Sequence, residues 1–231
     1  MSIPAANLMS ALRSGHSTSP RLTWYGPDSE RVELSGRVLD NWVAKTSNLL
    51  QDELDAEPGT AIRIDLPAHW KSFVWALAAW QLGMEVVLDG SAADLLVTNE
   101  PSDHPGAAYD AVVAVPLAAL AMSWPGELPP GVVDYAAEVR SHGDVFMVHN
   151  EPTPELAAVR GSAGCAHAEL MERFAEAAEP GVRLLVRASE GLESGLSAAL
   201  GAWQGDGSVV LVHEDVDVTE HLLENERVSR S

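Results

Sequence analysis

With 231 residues, 46% of them hydrophobic and 21% charged, the chain is long enough to bury a sizeable core and too apolar to stay disordered. Its 34 acids against 14 bases leave a formal charge of −20, a field that repels phosphate backbones and anionic lipid, so neither nucleic acid nor membrane is expected as a partner. A single cysteine, Cys165, excludes an internal disulfide and a thiolate zinc cluster. The start, Met1-Ser2-Ile3-Pro4, lacks the basic and apolar stretches of a secretion signal, and no apolar run approaches the roughly 20 residues of a membrane span, so the expected location is cytoplasmic.

Ala5 to Ser14 reads as a short helix with Leu8, Met9 and Leu12 on one side. Arg21–Tyr25 and Arg31–Leu34 form a hairpin around the turn residues Gly26-Pro27-Asp28-Ser29. Ser35 is placed to cap a long helix from Gly36 to about Leu54, whose apolar stripe runs through Val38, Leu39, Trp42, Val43, Leu49, Leu50 and Leu54. A strand over Thr60–Leu66 follows, ended by Pro67. The next helix, His69 to Leu82, is apolar almost all round and is expected to lie buried between layers, with Gly83 as its stop. Its Trp70, Trp75 and Trp80, with Trp42, read as core packing, the other reading being an apolar contact surface.

Glu85–Leu88, Asp94–Thr98 and Asp110–Leu117 are short apolar strands. From 100 to 154 the pattern weakens, with a short helix over Val132–Arg140, a strand over Val145–Val148 and a connector at Asn150–Pro154. Alternation then resumes: helix Ala168–Ala178, strand Val182–Val186, helix Gly191–Trp203, strand Ser208–Val212 and helix Thr219–Val228. The expected fold is α/β, layered, with mostly parallel sheets flanked by helices. The expected lobes are 1–150 and a smaller 151–231 packed on it.

Two ordered blocks carry a family resemblance. Asn48-Leu49-Leu50, Pro58-Gly59-Thr60-Ala61-Ile62-Arg63-Ile64, Leu66-Pro67, the helix Phe73–Trp80 and Gly83-Met84-Glu85-Val86-Val87 follow one another, and a second block runs from Gly181 to Val228. Together they cover about 120 residues and resemble the front part of the adenylate-forming (AMP-binding, acyl-CoA synthetase-like) superfamily. Thr60 stands where that family usually has Asp. The family's phosphate-cradling loop ends in Pro-Lys-Gly; at the matching place this chain has Arg160-Gly161-Ser162-Ala163-Gly164-Cys165-Ala166-His167 and no lysine. Lys45 and Lys71, the only lysines, match neither functional lysine of the family. The chain also stops before the family's later motifs and lid domain.

The resemblance therefore implies the family's fold without its adenylation chemistry, which depends on charge stabilisation around phosphates. The expected function is a degenerate, non-catalytic binding or regulatory module, with no catalytic residue, no cofactor and no metal. Its partner would be another protein, a second copy or a small molecule. A small-molecule binder that keeps a nucleotide or acyl pocket is the first alternative, and an enzyme of undefined mechanism the second. The candidate ligand-binding residues are Gly161, Ser162, Gly164 and His167, the relic of the loop.

Three further patterns weigh less. Cys165 and His167, two apart, could make a nucleophile–base pair, but a loop thiol beside a helix start is the plainer reading. Glu190-Gly191-Leu192-Glu193-Ser194-Gly195 sits between a strand and a helix, where α/β folds often bind anions, yet its two carboxylates would repel phosphate. His142 and His149 flank Asp144 without metal-ligand spacing.

Overall fold

The computed structural model describes residues 3–104, 108–162 and 164–229. In chain order the elements are α1 (Pro4–Ser14), β1 (Pro20–Tyr25), β2 (Arg31–Ser35), α2 (Gly36–Asp52), β3 (Ala61–Asp65), α3 (Trp70–Leu82), β4 (Glu85–Val87), β5 (Leu95–Thr98), β6 (Ala111–Ala114), β7 (Val132–Asp134) and α4 (Tyr135–Glu138). They continue with β8 (Ala157–Arg160), β9 (Cys165–Ala166), β10 (Arg183–Arg187), α5 (Leu192–Gln204), β11 (Ser208–Val212) and α6 (Glu220–Asn225).

Two sheets result, one of four strands in the order β10-β11-β1-β2 and one of seven in the order β7-β6-β5-β3-β4-β8-β9. Among the described residues only β1–β2 and β8–β9 pair antiparallel; the other ladders are parallel, as expected for strands that read as unbroken apolar runs. The division between sheets does not follow residue 150. β1 joins the C-terminal strands through Leu22↔Val209, while β8 and β9, beyond 150, extend the seven-stranded sheet through Val86↔Val159.

α3 packs against strands of both sheets and against α1 and α2. Every residue from Trp70 to Trp80 is buried, which is why the segment is apolar on all sides: it has no face left for water. Trp80 donates its Nε1–H to the Ala158 carbonyl at 2.8 Å, and Phe73 meets Trp203 of α5 edge to face. The Trp stripe is therefore core, with Trp70, Trp75 and Trp80 at most 2% exposed and Trp42 partly buried against them. Local signals hold at the ends. Ser35 Oγ accepts the Val38 N–H at 3.3 Å, and Gly83 takes the left-handed φ of 85° that closes α3.

Four segments differ from the sequence expectation. Residues 145–148 join no sheet; the side chains of α2 hold this strap instead, Asn48 donating to the carbonyls of Gly143 and Val145 and Gln51 to that of Met147. The expected helix over 168–178 is a 3-10 turn at His167–Glu169 followed by one π-helical turn at Leu170–Phe174. Val132–Arg140 begins as β7 before it turns helical. β8, by contrast, falls on residues assigned no element from the sequence, because Ala157–Arg160 finds the free edge of β4, and β9 pairs with it inside the stretch read as a loop. No helix of the described residues is long and apolar enough to cross a membrane.

Candidate functional site

The four residues singled out in the sequence lie on or beside the tight turn that joins β8 to β9, and the structure separates them. Ala163 lies outside the described residues. Ser162 donates its hydroxyl to Glu193 Oε1 at 2.5 Å, and Gly161 faces the same carboxylate, since a Cβ there would sit 3.5 Å from Glu193 Oε2. Glu193 belongs to the first turn of α5. Ser162, Phe174, Glu190, Glu193, Ser194 and Ser197 border an open cleft of about 380 Å³. Gly164 packs back on the Val159 carbonyl instead.

His167 is withdrawn altogether. It is fully buried, donates Nε2–H to the Met84 carbonyl at 3.2 Å and leaves Nδ1 without a partner. Burial lowers its pKa, partly offset by the backbone groups of Gly83 and Met84, while burial raises that of the Cys165 thiol. A thiolate–imidazolium couple requires the opposite shift in both groups, so the pair is built as core, not as a nucleophile.

Arg160 and both lysines are committed elsewhere. Arg160, immediately before it, pairs with Glu85 and donates to the Ala92 carbonyl at 2.7 Å. Lys45 donates to the His142 carbonyl, and Lys71 is buried with its ammonium on the carbonyls of Pro116 and Ala118. The N-terminus of α5 would favour an anion through its free N–H groups, but Glu190 and Glu193 occupy that place with their own charge.

A second cleft, of about 390 Å³, escaped the sequence reading. Its lining includes Trp24, Glu30, Pro67, His69, Leu117 and His213. Trp24 lies near the end of β1, while His69, Leu117 and His213 follow β3, β6 and β11, so it opens at the carboxyl ends of parallel strands from both sheets. Crevices at that end are where open α/β sheets hold ligands, because the loops that leave the strands are free to vary there.

The walls are tied together by charge. Glu30 accepts the Trp24 indole N–H through Oε2 and the Ala119 N–H through Oε1, each at 2.8 Å. Lys71 holds the same 116–119 segment from behind, donating to the Ala118 carbonyl at 2.9 Å. Burial, and to a lesser degree the Arg140 charge, hold its pKa down to about 8 against the pull of Glu30. Edge-on to Trp24 lie two imidazoles, His69 at 4.6 Å and His213 at 5.9 Å between ring centres. Desolvation, then the charge of Lys71 and His213, holds His69 down to about 3, so its ring is neutral at ordinary pH. The available signal was a histidine within four residues of the end of each of two strands. It carries little weight until the tertiary fold brings β3 and β11 to one crevice.

Comparisons with known proteins agree with this architecture. No family model matches the chain. A protein of Mycobacterium tuberculosis described as a "TIGR03089 family protein" is 35% identical over an alignment of 226 residues, and the match covers 91% of this chain and 90% of that protein. Among solved structures, an acyl-CoA synthetase of Brucella canis superposes with a TM-score of 0.69 at 17% identity, covering 97% of this chain and 46% of the synthetase. Coronafacic acid ligase of Pectobacterium brasiliense gives 0.70 at 12%, covering 96% of this chain and 46% of the ligase. The N-terminal domain of FACL13 from Mycobacterium tuberculosis gives 0.70 at 12%, covering 99% of this chain and 62% of that one. The chain thus has the fold of the front part of adenylate-forming enzymes and spans just under half of the synthetase and the ligase.

Proposed function

The chain belongs to the TIGR03089 family, and from the chemistry of its two clefts we propose that it is a non-catalytic binding or regulatory module built on the adenylate-forming fold. The observation that carries this reading is the hydrogen bond from Ser162 to Glu193. Where the turn after β8 would have to cradle a triphosphate, it is closed on a carboxylate, and Arg160 and both lysines are engaged elsewhere. Removing one preorganised donor from a transition state costs about 10²- to 10³-fold in rate. A site whose own carboxylates face the phosphates has lost more than one such donor and gained repulsion.

The apolar walls and convergent polar edges of the strand-end cleft, which is of ligand-site size, favour a small molecule over a purely protein partner for this module. ATP–pyrophosphate exchange, measured with a panel of aliphatic and aromatic carboxylates and magnesium, tests the reading. We expect no exchange above the protein-free background; exchange with any carboxylate of the panel would overturn it.

A further inference from the structure

The strand-end cleft has a donor chemistry that specifies its ligand. His69 follows β3 and His213 follows β11, and each spends Nδ1 on the backbone N–H two residues ahead, that of Lys71 at 3.1 Å and that of Asp215 at 3.2 Å. An imidazole nitrogen that accepts a hydrogen bond carries no hydrogen, so in the neutral ring the hydrogen sits on Nε2. The His69 tautomer is thereby set by the chain itself, while at His213 the Asp215 carboxylate also lies 3.6 Å from Nδ1. The buried Nε2–H of His69 has no acceptor, and among the described residues that of His213 has none either. An uncompensated buried donor is costly, and one retained in a ligand-sized cleft points to an acceptor brought from outside.

Charge narrows the class. Among the described residues the only charged side chains on the lining are Asp28 and Glu30, with no Lys or Arg, and Glu30 is already engaged by Trp24 and Ala119. The Lys71 ammonium, whose charge reaches Glu30 and His69, has its hydrogen bonds spent on the carbonyls of Pro116 and Ala118 behind the 116–119 wall. Phosphates and carboxylates would meet the charges of Asp28 and Glu30. Pro27, Pro67, Ala68, Leu117 and Ala118 supply an apolar lining.

We propose that this cleft binds an uncharged, mainly apolar small molecule bearing a carbonyl-type acceptor, which takes the Nε2–H of the part-exposed His213 at the mouth and of the more deeply buried His69 within. The proposal rests on the reading of the chain as a binding module, but the two fail separately: pyrophosphate exchange decides that reading, and ligand titration decides this one.

The test uses three probes of one shape and different charge, 2-naphthamide, 2-naphthoate and 2-naphthylmethylammonium, titrated into isotope-labelled full-length protein and followed by NMR. The amide should shift the Trp24 indole N–H and the His213 imidazole resonances and bind at least tenfold more tightly than the naphthoate. His213→Phe should weaken the amide by roughly tenfold, the loss of about one hydrogen bond, with the dispersed amide spectrum of the folded protein retained. His213→Gln, which keeps an N–H donor, should restore most of that affinity. Equal or tighter binding of the naphthoate, tightest binding of the ammonium probe, or no shift at Trp24 and His213 with any probe would overturn the proposal.

Discussion

The Trp24 indole donates its N–H to Glu30 Oε2 at 2.8 Å, and this bond crosses directly beneath Gly26 at the hairpin turn. A Cβ on residue 26 would come within 2.6 Å of Trp24 Nε1 and 2.7 Å of Glu30 Oε2. The turn is therefore not merely tight; its glycine makes room for the bond that shapes one wall of the strand-end cleft.

Gly26→Ala should push Trp24 and Glu30 apart and release Ala119 from Glu30 Oε1 as well, at a cost of about 2 kcal/mol. Denaturant unfolding measures the loss, and a changed Trp24 indole N–H resonance localises it. An unaltered resonance with full stability would show that the bond does not organise the wall.

Gly201 is constrained more severely. It lies inside α5, where alanine would normally gain about 1 kcal/mol in helix propensity. A Cβ there would fall 1.8 Å from the Glu176 carbonyl, a backbone atom tied to α5 by the bond from Glu176 N–H to the Ser197 carbonyl at 3.1 Å. Gly201→Ala should therefore destabilise by about 2–3 kcal/mol in spite of propensity. A stabilised variant would mean that the 175–179 segment does not pack as described.

His69 gives stability a pH dependence of known sign. Its native pKa is held down to about 3, whereas in the unfolded chain it titrates near its ordinary value of 6.5. Between those values the unfolded state takes up a proton that the native state refuses, so stability is lost as pH falls from about 6.5 towards 3, by a few kcal/mol from this group. His69→Asn keeps a side-chain acceptor for the Lys71 N–H and removes the titration. Unfolding midpoints over this range should slope less steeply in the variant; parallel curves would refute the assignment.

Glu226 clamps the end of the chain. It accepts from the Tyr25 hydroxyl at 2.5 Å and from Arg31 at 2.9 Å, and it pairs with Arg183. Burial alone would raise its pKa, but the hydrogen bonds from Tyr25, Arg183 and Arg31 bring it below the ordinary value. Glu226→Ala should cost about 2 kcal/mol, since it leaves the Tyr25 hydroxyl without its acceptor and the Arg183 and Arg31 charges without their shared carboxylate. It should also speed amide exchange over residues 220–229 and β10. Unchanged exchange there would show that the helix is held by other contacts.

Much of the secondary structure was legible because local physics dictates it. Ser35 announces the start of α2, Gly83 the end of α3, and Gly26 to Ser29 the hairpin, each through a backbone group or dihedral that only nearby residues can satisfy. The all-round apolarity of α3 also foretold that it would be sandwiched. Two segments that the sequence left unread or misread take their hydrogen bonds from far along the chain. Ala157–Arg160 is a strand only because β4 offers an edge, and residues 145–148 are not, because Asn48 and Gln51 take their place.

The sites divide the same way. That the turn after β8 lacks a lysine is a property of the sequence, and with it the expectation that phosphate chemistry is absent. That Ser162 meets Glu193, that His167 turns into the core, and that His69 and His213 converge on Trp24 were decided by tertiary structure alone. Pattern and propensity act over a few residues, whereas a cleft is made where strands distant in the chain end side by side, so its chemistry is written only once both sheets are in register.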